Sequence, residues 1–207
     1  MRSSLMNVVA LALALAAASC LPSAALVEGA GAPAIERPAA AAVDAPRIES
    51  FAVPGSGIER VRATVVVSAP IERVRAVVFD YARYPEFMPR YEKAAVVKVT
   101  PDGGRVVRME LGGIVHLWMR VEISPPRISG ATEAYEGRLV DGNIKAFAPR
   151  WELEALEGGR TRVTVESFLD PDLMLVPSSM INSGARDGVR EAIVALKARI
   201  EGREAAR

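Results

Sequence analysis

"GIVHLWMRVEIS", residues 113–124, decides the fold. Side chains of an extended chain alternate faces, so Val115, Leu117, Met119, Val121 and Ile123 share one side and His116, Trp118, Arg120 and Glu122 the other. One side is wholly apolar, the signature of an antiparallel strand with one face on a core and the other in water. The segments around it repeat the pattern. Val107, Met109 and Leu111 oppose Arg108 and Glu110, while Val163 and Val165 oppose Arg162, Thr164 and Glu166. In "KAFAPRWELEALE" the inward set is Phe147, Trp151, Leu153 and Ala155, with Arg150, Glu152 and Glu154 outward, and Pro149 marks a bulge or an edge.

Working outward, turn signals at "PDGG" 101, "GG" 112, "SPP" 124, "DG" 141 and "EGG" 157 divide Tyr91–Leu169 into six extended segments. Such short connections join antiparallel neighbours into a meander. A seventh strand, "ERVRATVVVSA" at 59–69, carries Val61, Ala63, Val65 and Val67 on one face. It runs into a helix with Ser68 as N-cap, Pro70 and Glu72 in the first turn, and an apolar stripe of Ile71, Val74, Val78 and Tyr81. Pro85 and Pro89 then confine "YPEFMP", residues 84–89, to a very short helical piece.

From about Pro177 to Ile200 the spacing predicts one long helix, with Ile181, Ala185, Val189, Ile193, Leu196 and Ile200 as its buried stripe. A row of small residues, Gly184, Gly188, Ala192 and Ala195, runs alongside, either for close packing against the sheet or to leave room. The pattern as a whole is α+β: a curved seven-stranded antiparallel sheet wrapped around a single long C-terminal helix, with one or two short helices after the first strand. A strongly bent sheet is filled by one helix only if bulky side chains occupy the gap. Aromatic residues make up 5% of the chain, so an internal cavity is expected.

The order of parts, with "SAPIERVRAVVFDYARYPEFMPRY" after the first strand and "DPDLMLVPSSMINSGARDGVREAIVALKARI" at the end, resembles the START-like superfamily over roughly residues 58–200. Within it the sequence is similar to the polyketide-cyclase and coenzyme-Q-binding type, which shares the helix-grip fold. The resemblance implies a hydrophobic tunnel between sheet and terminal helix. Tyr84, Phe87 and Met88 then form its mouth or lid, or else plug one end of the core, and Met174 and Met180 form an adaptable wall opposite. With the inward strand residues, the expected ligand-facing set is Tyr84, Phe87, Met88, Met109, Leu117, Met119, Tyr135, Phe147, Trp151, Met174, Met180, Gly184 and Gly188.

Catalytic candidates are few. His116 is the natural acid–base residue, but parity points it away from the apolar face and makes it a surface residue. Trp118 beside it is an isolated exposed aromatic or part of a contact patch. Glu133 and Tyr135 share one face of their strand; if inward they orient a ligand, although a solvent-facing Glu133 is the expected reading. Asp80 caps the turn after the first helix, and Asp170 and Asp172 flank Pro171 in a loop without a third ligand to make a metal site. No catalytic residue, metal or cofactor is assigned.

Lysine plus arginine number 26 against 25 aspartate plus glutamate, so no charge excess argues for nucleic acid. One histidine and one cysteine leave little basis for a zinc site, an internal disulfide or a Cys–His pair. Residues 1–20, "MRSSLMNVVALALALAAASC", read as an export signal. Two processing outcomes stand: lipidation of Cys20, as "AASC" resembles a bacterial lipobox, or cleavage after Ala25 with Cys20 discarded. Residues 21–45 read as an Ala/Pro/Gly-rich tether and 46–207 as the domain. The expectation is an exported, monomeric bacterial domain, periplasmic or membrane-anchored through Cys20. It holds a lipid, quinone or polyketide-like molecule without changing it; the alternatives are a cyclase or aromatase using the same cavity, or an interaction domain with a filled core.

Overall fold

The computed structural model describes residues 45–113 and 115–202; the export signal, Cys20 and nearly all of the tether lie outside them. Nine strands form one antiparallel sheet rather than seven. β1 (Arg47–Ala52), β2 (Glu59–Val67), β3 (Tyr91–Val99), β4 (Arg105–Leu111), β5 (Leu117–Ile123), β6 (Arg127–Ser129), β7 (Thr132–Gly142), β8 (Ala146–Leu156) and β9 (Arg160–Asp170) stand in the order β1-β2-β9-β8-β7-β5-β4-β3, with β6 on β7. The two additional strands are explained by their weak hydrophobic signal. β1 is an edge strand carrying Arg47 and Glu49, and its Phe51 lies under Arg62 with the guanidinium 4.7 Å from the ring centre. β6 is three exposed residues split from β7 by Gly130, which has φ +57°.

Alternation is obeyed where it was clearest. Met119, Val121 and Ile123 of β5 are buried and pair with Met109, Val107 and Arg105 of β4. Val115 departs from it: the strand begins at Leu117, and Val115 is an exposed residue of the β4–β5 connection. Ala155, near the end of β8, is exposed as well. Pro149 is buried and follows the end of the β7–β8 ladder at Glu136↔Arg150, so it marks a change of partner. Past that point β7 pairs with β5, and a Cβ on Gly137 would stand 2.5 Å from Pro149 and 2.9 Å from Ile123. Only glycine fits this corner, where the sheet bends.

α1 (Ile71–Val78) has Pro70, not Ser68, at its N-cap, and no side chain caps it. Tyr81 belongs to a separate 3-10 turn, Tyr81–Arg83, preceded by Asp80; that carboxylate makes no cap and lies 3.6 Å from Arg83. α2 (Tyr84–Phe87) is the short piece between prolines. α3 (Ser178–Glu201) is about 36 Å long at 1.5 Å per residue and ends at Gly202 in the left-handed conformation, φ +70°.

α3 crosses the concave face over β2 and is tied to that strand at both ends. Near its start the Asn182 amide accepts a bond from the Glu59 N–H (2.9 Å) and donates to the Gly57 carbonyl (3.1 Å), and Arg186 pairs with the Glu59 carboxylate at 2.7 Å. Near its end Lys197 donates to the Val66 carbonyl (2.7 Å) and Glu201 accepts from the Ser68 N–H (2.8 Å). Among the described residues no helix is long and apolar enough to cross a membrane.

Candidate functional site

Strand register divides the concave face into two halves. Where α3 ends, Val67, Val74, Val78, Leu153, Val163, Leu196 and Ile200 are sealed from solvent. Away from that end the inward residues Leu117, Leu139, Phe147, Trp151 and Leu169, with Val189 and Ala192 near the middle of the helix, are only half-buried. The register places these strand residues on the inner face, where they pack against the buried core without being fully covered. With Val189 and Ala192 near the middle of α3 they form an incompletely buried apolar strip on the inner side of β5, β7, β8 and β9, the candidate groove.

The expected ligand-facing residues distribute unevenly over this geometry. Leu117, Phe147 and Trp151 line the groove. Met109 and Met119 lie beneath it in the sealed core. Tyr84 and Met88 are likewise core residues: the Tyr84 hydroxyl donates to the Val78 carbonyl, and its ring packs on Tyr81, Phe87 and Tyr91 with centroids 5.3, 5.8 and 5.1 Å away. Of the two readings of "YPEFMP", plug or lid, the geometry for these two residues is that of a plug. Phe87 is half-buried under Arg199, whose guanidinium sits 5.5 Å from the ring centre. Met174 is 95% exposed and Met180 65%, so neither is a wall of the groove; Met174 instead borders a separate open pocket with Ile58, Ala146, Phe168 and Val176. The glycines of α3 do not serve close packing against the sheet. A Cβ on Gly184 would meet nothing within 4 Å, and one on Gly188 would meet only the Arg90 guanidinium at 3.6 Å.

Glu133 corrects the expectation that it faces solvent. It is 9% exposed on the inner face of β7, where its carboxylate accepts from Arg75 of α1 through two nitrogens (2.8 Å for Nε) and from the Tyr135 hydroxyl (2.7 Å). Register explains this, since Glu133 pairs with the buried Leu153. Arg75 lies beside the apolar stripe of α1, three residues before Val78, which is the signal that could have identified the pair. The Arg75 bonds hold the Glu133 carboxyl below its ordinary range in spite of burial. Burial, and then the bond to Glu133, push the Tyr135 phenol up to about 12. Both groups are thereby moved away from the neutral range in which proton transfer is efficient.

The remaining candidates sit on the surface. His116 is exposed on the β4–β5 connection, its Nδ1 3.2 Å from Glu92 and its Nε2 3.9 Å from Glu110. Trp118 is half-buried on the convex face under Arg108, 5.2 Å from the ring centre. Asp170 accepts from the Asp172 N–H (3.1 Å) and faces Lys145 at 3.6 Å, which is loop geometry. No group of three metal-ligating side chains occurs among the described residues.

Comparison with known proteins agrees with this architecture. The STAR-related lipid transfer protein of Xanthomonas axonopodis superposes with a TM-score of 0.63 at 14% identity, covering 75% of this chain and 93% of that one. Human StAR-related lipid transfer protein 5 gives 0.67 at 11% identity, covering 76% and 82%. The Zhui aromatase/cyclase of Streptomyces sp. R1128 gives 0.55 at 18% identity, covering 71% and 96%. At these identities the likeness is one of fold. No curated protein matches the sequence. The family described as "Polyketide cyclase / dehydrase and lipid transport" matches residues 59–201, from the first residue of β2 to the last of α3. The helix-grip sheet, the groove beside its long helix and that match together make the chain a member of this START-like family.

Proposed function

We propose that the protein binds an apolar small molecule, a lipid, quinone or polyketide-like compound, in the groove between the inner side of β5, β7, β8 and β9 and the middle of α3, and that it does so without chemical conversion. One observation carries the reading: an inner face with aliphatic and aromatic walls is left half-covered beside a helix that is tied to β2. Filling such a surface removes apolar area from water at about 25 cal/mol per Å² before the costs of ordering the ligand. The names of two of the similar structures, both lipid transfer proteins, support the ligand class. Two ionisable groups of the inner face, Glu133 and Tyr135, are bonded to each other and Glu133 to Arg75, and both titrate far from neutrality, which favours holding over converting.

Delipidated Trp118→Phe protein, in which Trp151 is the sole indole, should bind a fluorescent fatty acid saturably with a change in Trp151 emission. Ala192→Phe, which projects a ring into the groove, should weaken that binding at least tenfold while leaving the fold intact. Absence of saturable binding by any apolar probe, or indifference to Ala192→Phe, would remove the reading. We further propose that the domain works outside the cytoplasm, tethered through an acylated Cys20. This rests on the pattern of residues 1–20, and mass spectrometry of the natively extracted protein, reading acyl mass on Cys20, tests it.

A further inference from the structure

Two polar side chains stand among the apolar residues of the inner face with nothing to bond. Trp151 leaves β8 on that face, flanked across the ladders by the buried Tyr135 and Val165. Ser167 leaves β9 on the same face, in a slot of the run Val163, Val165, Leu169, and it pairs with Val61, which is sealed from solvent. Because Trp151 pairs with Val165, Ser167 is its diagonal neighbour, with Cβ atoms about 7–8 Å apart, a span that one small group between them bridges. Neither the Trp151 indole N–H nor the Ser167 hydroxyl has a hydrogen-bond partner among the described residues, and neither is wholly shut off from solvent.

Other polar side chains turned inward are engaged. Glu133 takes Arg75 and Tyr135, Thr161 donates to the Ala69 carbonyl, and Asn182 and Arg186 of α3 hold the start of β2. The contrast is informative. An indole only donates and a hydroxyl donates or accepts, so the two side by side call for an acceptor oxygen on whatever lies against them. The residues of the strip are uncharged, and Arg75 and Arg186 are already paired with carboxylates. A carboxylate placed there would lose hydration with no cation in return, whereas a neutral carbonyl gains two bonds at smaller cost.

Resting on the groove reading, we propose that the ligand carries a neutral carbonyl oxygen on its apolar body, held by the Trp151 Nε1–H and the Ser167 hydroxyl. The test titrates the full chain, isotope-labelled for NMR, with 2-acetylnaphthalene and with 2-ethylnaphthalene, in which a methylene replaces the carbonyl. The ketone should bind about three- to tenfold more tightly than the hydrocarbon and move the Trp151 indole proton downfield, as a new hydrogen bond does. Trp151→Phe and Ser167→Ala should each narrow the gap between the two ligands, and the double variant should close it. Equal affinities in the parent, an indole proton that the ketone does not move downfield, or a gap that the variants leave unchanged would overturn the proposal while the groove reading stands. Binding of neither ligand would overturn both.

Discussion

The two halves of the concave face are built from the same strands yet differ in what covers them. At one end α1 and the second half of α3 lie over β2, β9 and the end of β8, and side chains such as Leu153, Val163 and Leu196 lose all contact with water. At the other end α3 remains tied to the start of β2 by Asn182 and Arg186, and Leu117, Phe147 and Trp151 are left half-covered. The sealed half supplies the stability that lets the open half leave apolar surface unburied. The uncovered apolar surface is thus a consequence of where one helix is fastened.

The sharpest way to break the comparison is one substitution made in both halves. Leu153→Ala should cost about 2–5 kcal/mol of unfolding free energy, as for a fully buried leucine, and Leu117→Ala less than about 2 kcal/mol. Equal losses in denaturant titrations would mean that the open half is packed like the other. The corner between the halves is the next target. Gly137→Ala places a methyl against Pro149 and Ile123 and should cost about 1–3 kcal/mol, read in the same titrations.

Smaller still is the acid response of the Arg75–Glu133 pair. The folded carboxyl titrates below its unfolded value, so its contribution is complete above about pH 4.3 and is lost as pH falls through the lowered folded value. Glu133→Gln should therefore be less stable than the parent by about 1 kcal/mol at neutral pH, since Arg75 is partly exposed, and the gap should close on acidification. A gap that stays constant to pH 3 would contradict the ion pair. The smallest effect has the opposite sign: Gly184→Ala, meeting open space within a helix, should stabilise by about 0.4–1 kcal/mol.

Much of this was legible in the residues. The alternation of 113–124 placed Met119, Val121 and Ile123 inward, and the stripe Ile193, Leu196, Ile200 fixed the buried side of α3. What escaped was whatever a cross-strand partner decides. Thr132–Tyr135 puts a glutamate and a tyrosine on one side and a threonine and an alanine on the other, so hydrophobicity cannot select the inner side; pairing of Glu133 with Leu153 does. β1 was missed because an edge strand buries little and need not look apolar. Met174 and Met180 illustrate the converse, since an apolar residue in a sequence is not thereby a buried one. The helix glycines were read for tightness or room against the sheet, but their neighbours are open space and Arg90, which spacing along α3 alone does not reveal.

Relaxation broadening by a spin-labelled fatty acid, observed on methyl groups by NMR, puts the difference between the halves to the most direct test. Occupancy of the groove predicts strong broadening at Leu117, Leu139, Leu169 and Val189 and none at Leu153, Val163 or Leu196. Uniform broadening across both sets, or no broadening at saturating ligand, would contradict it.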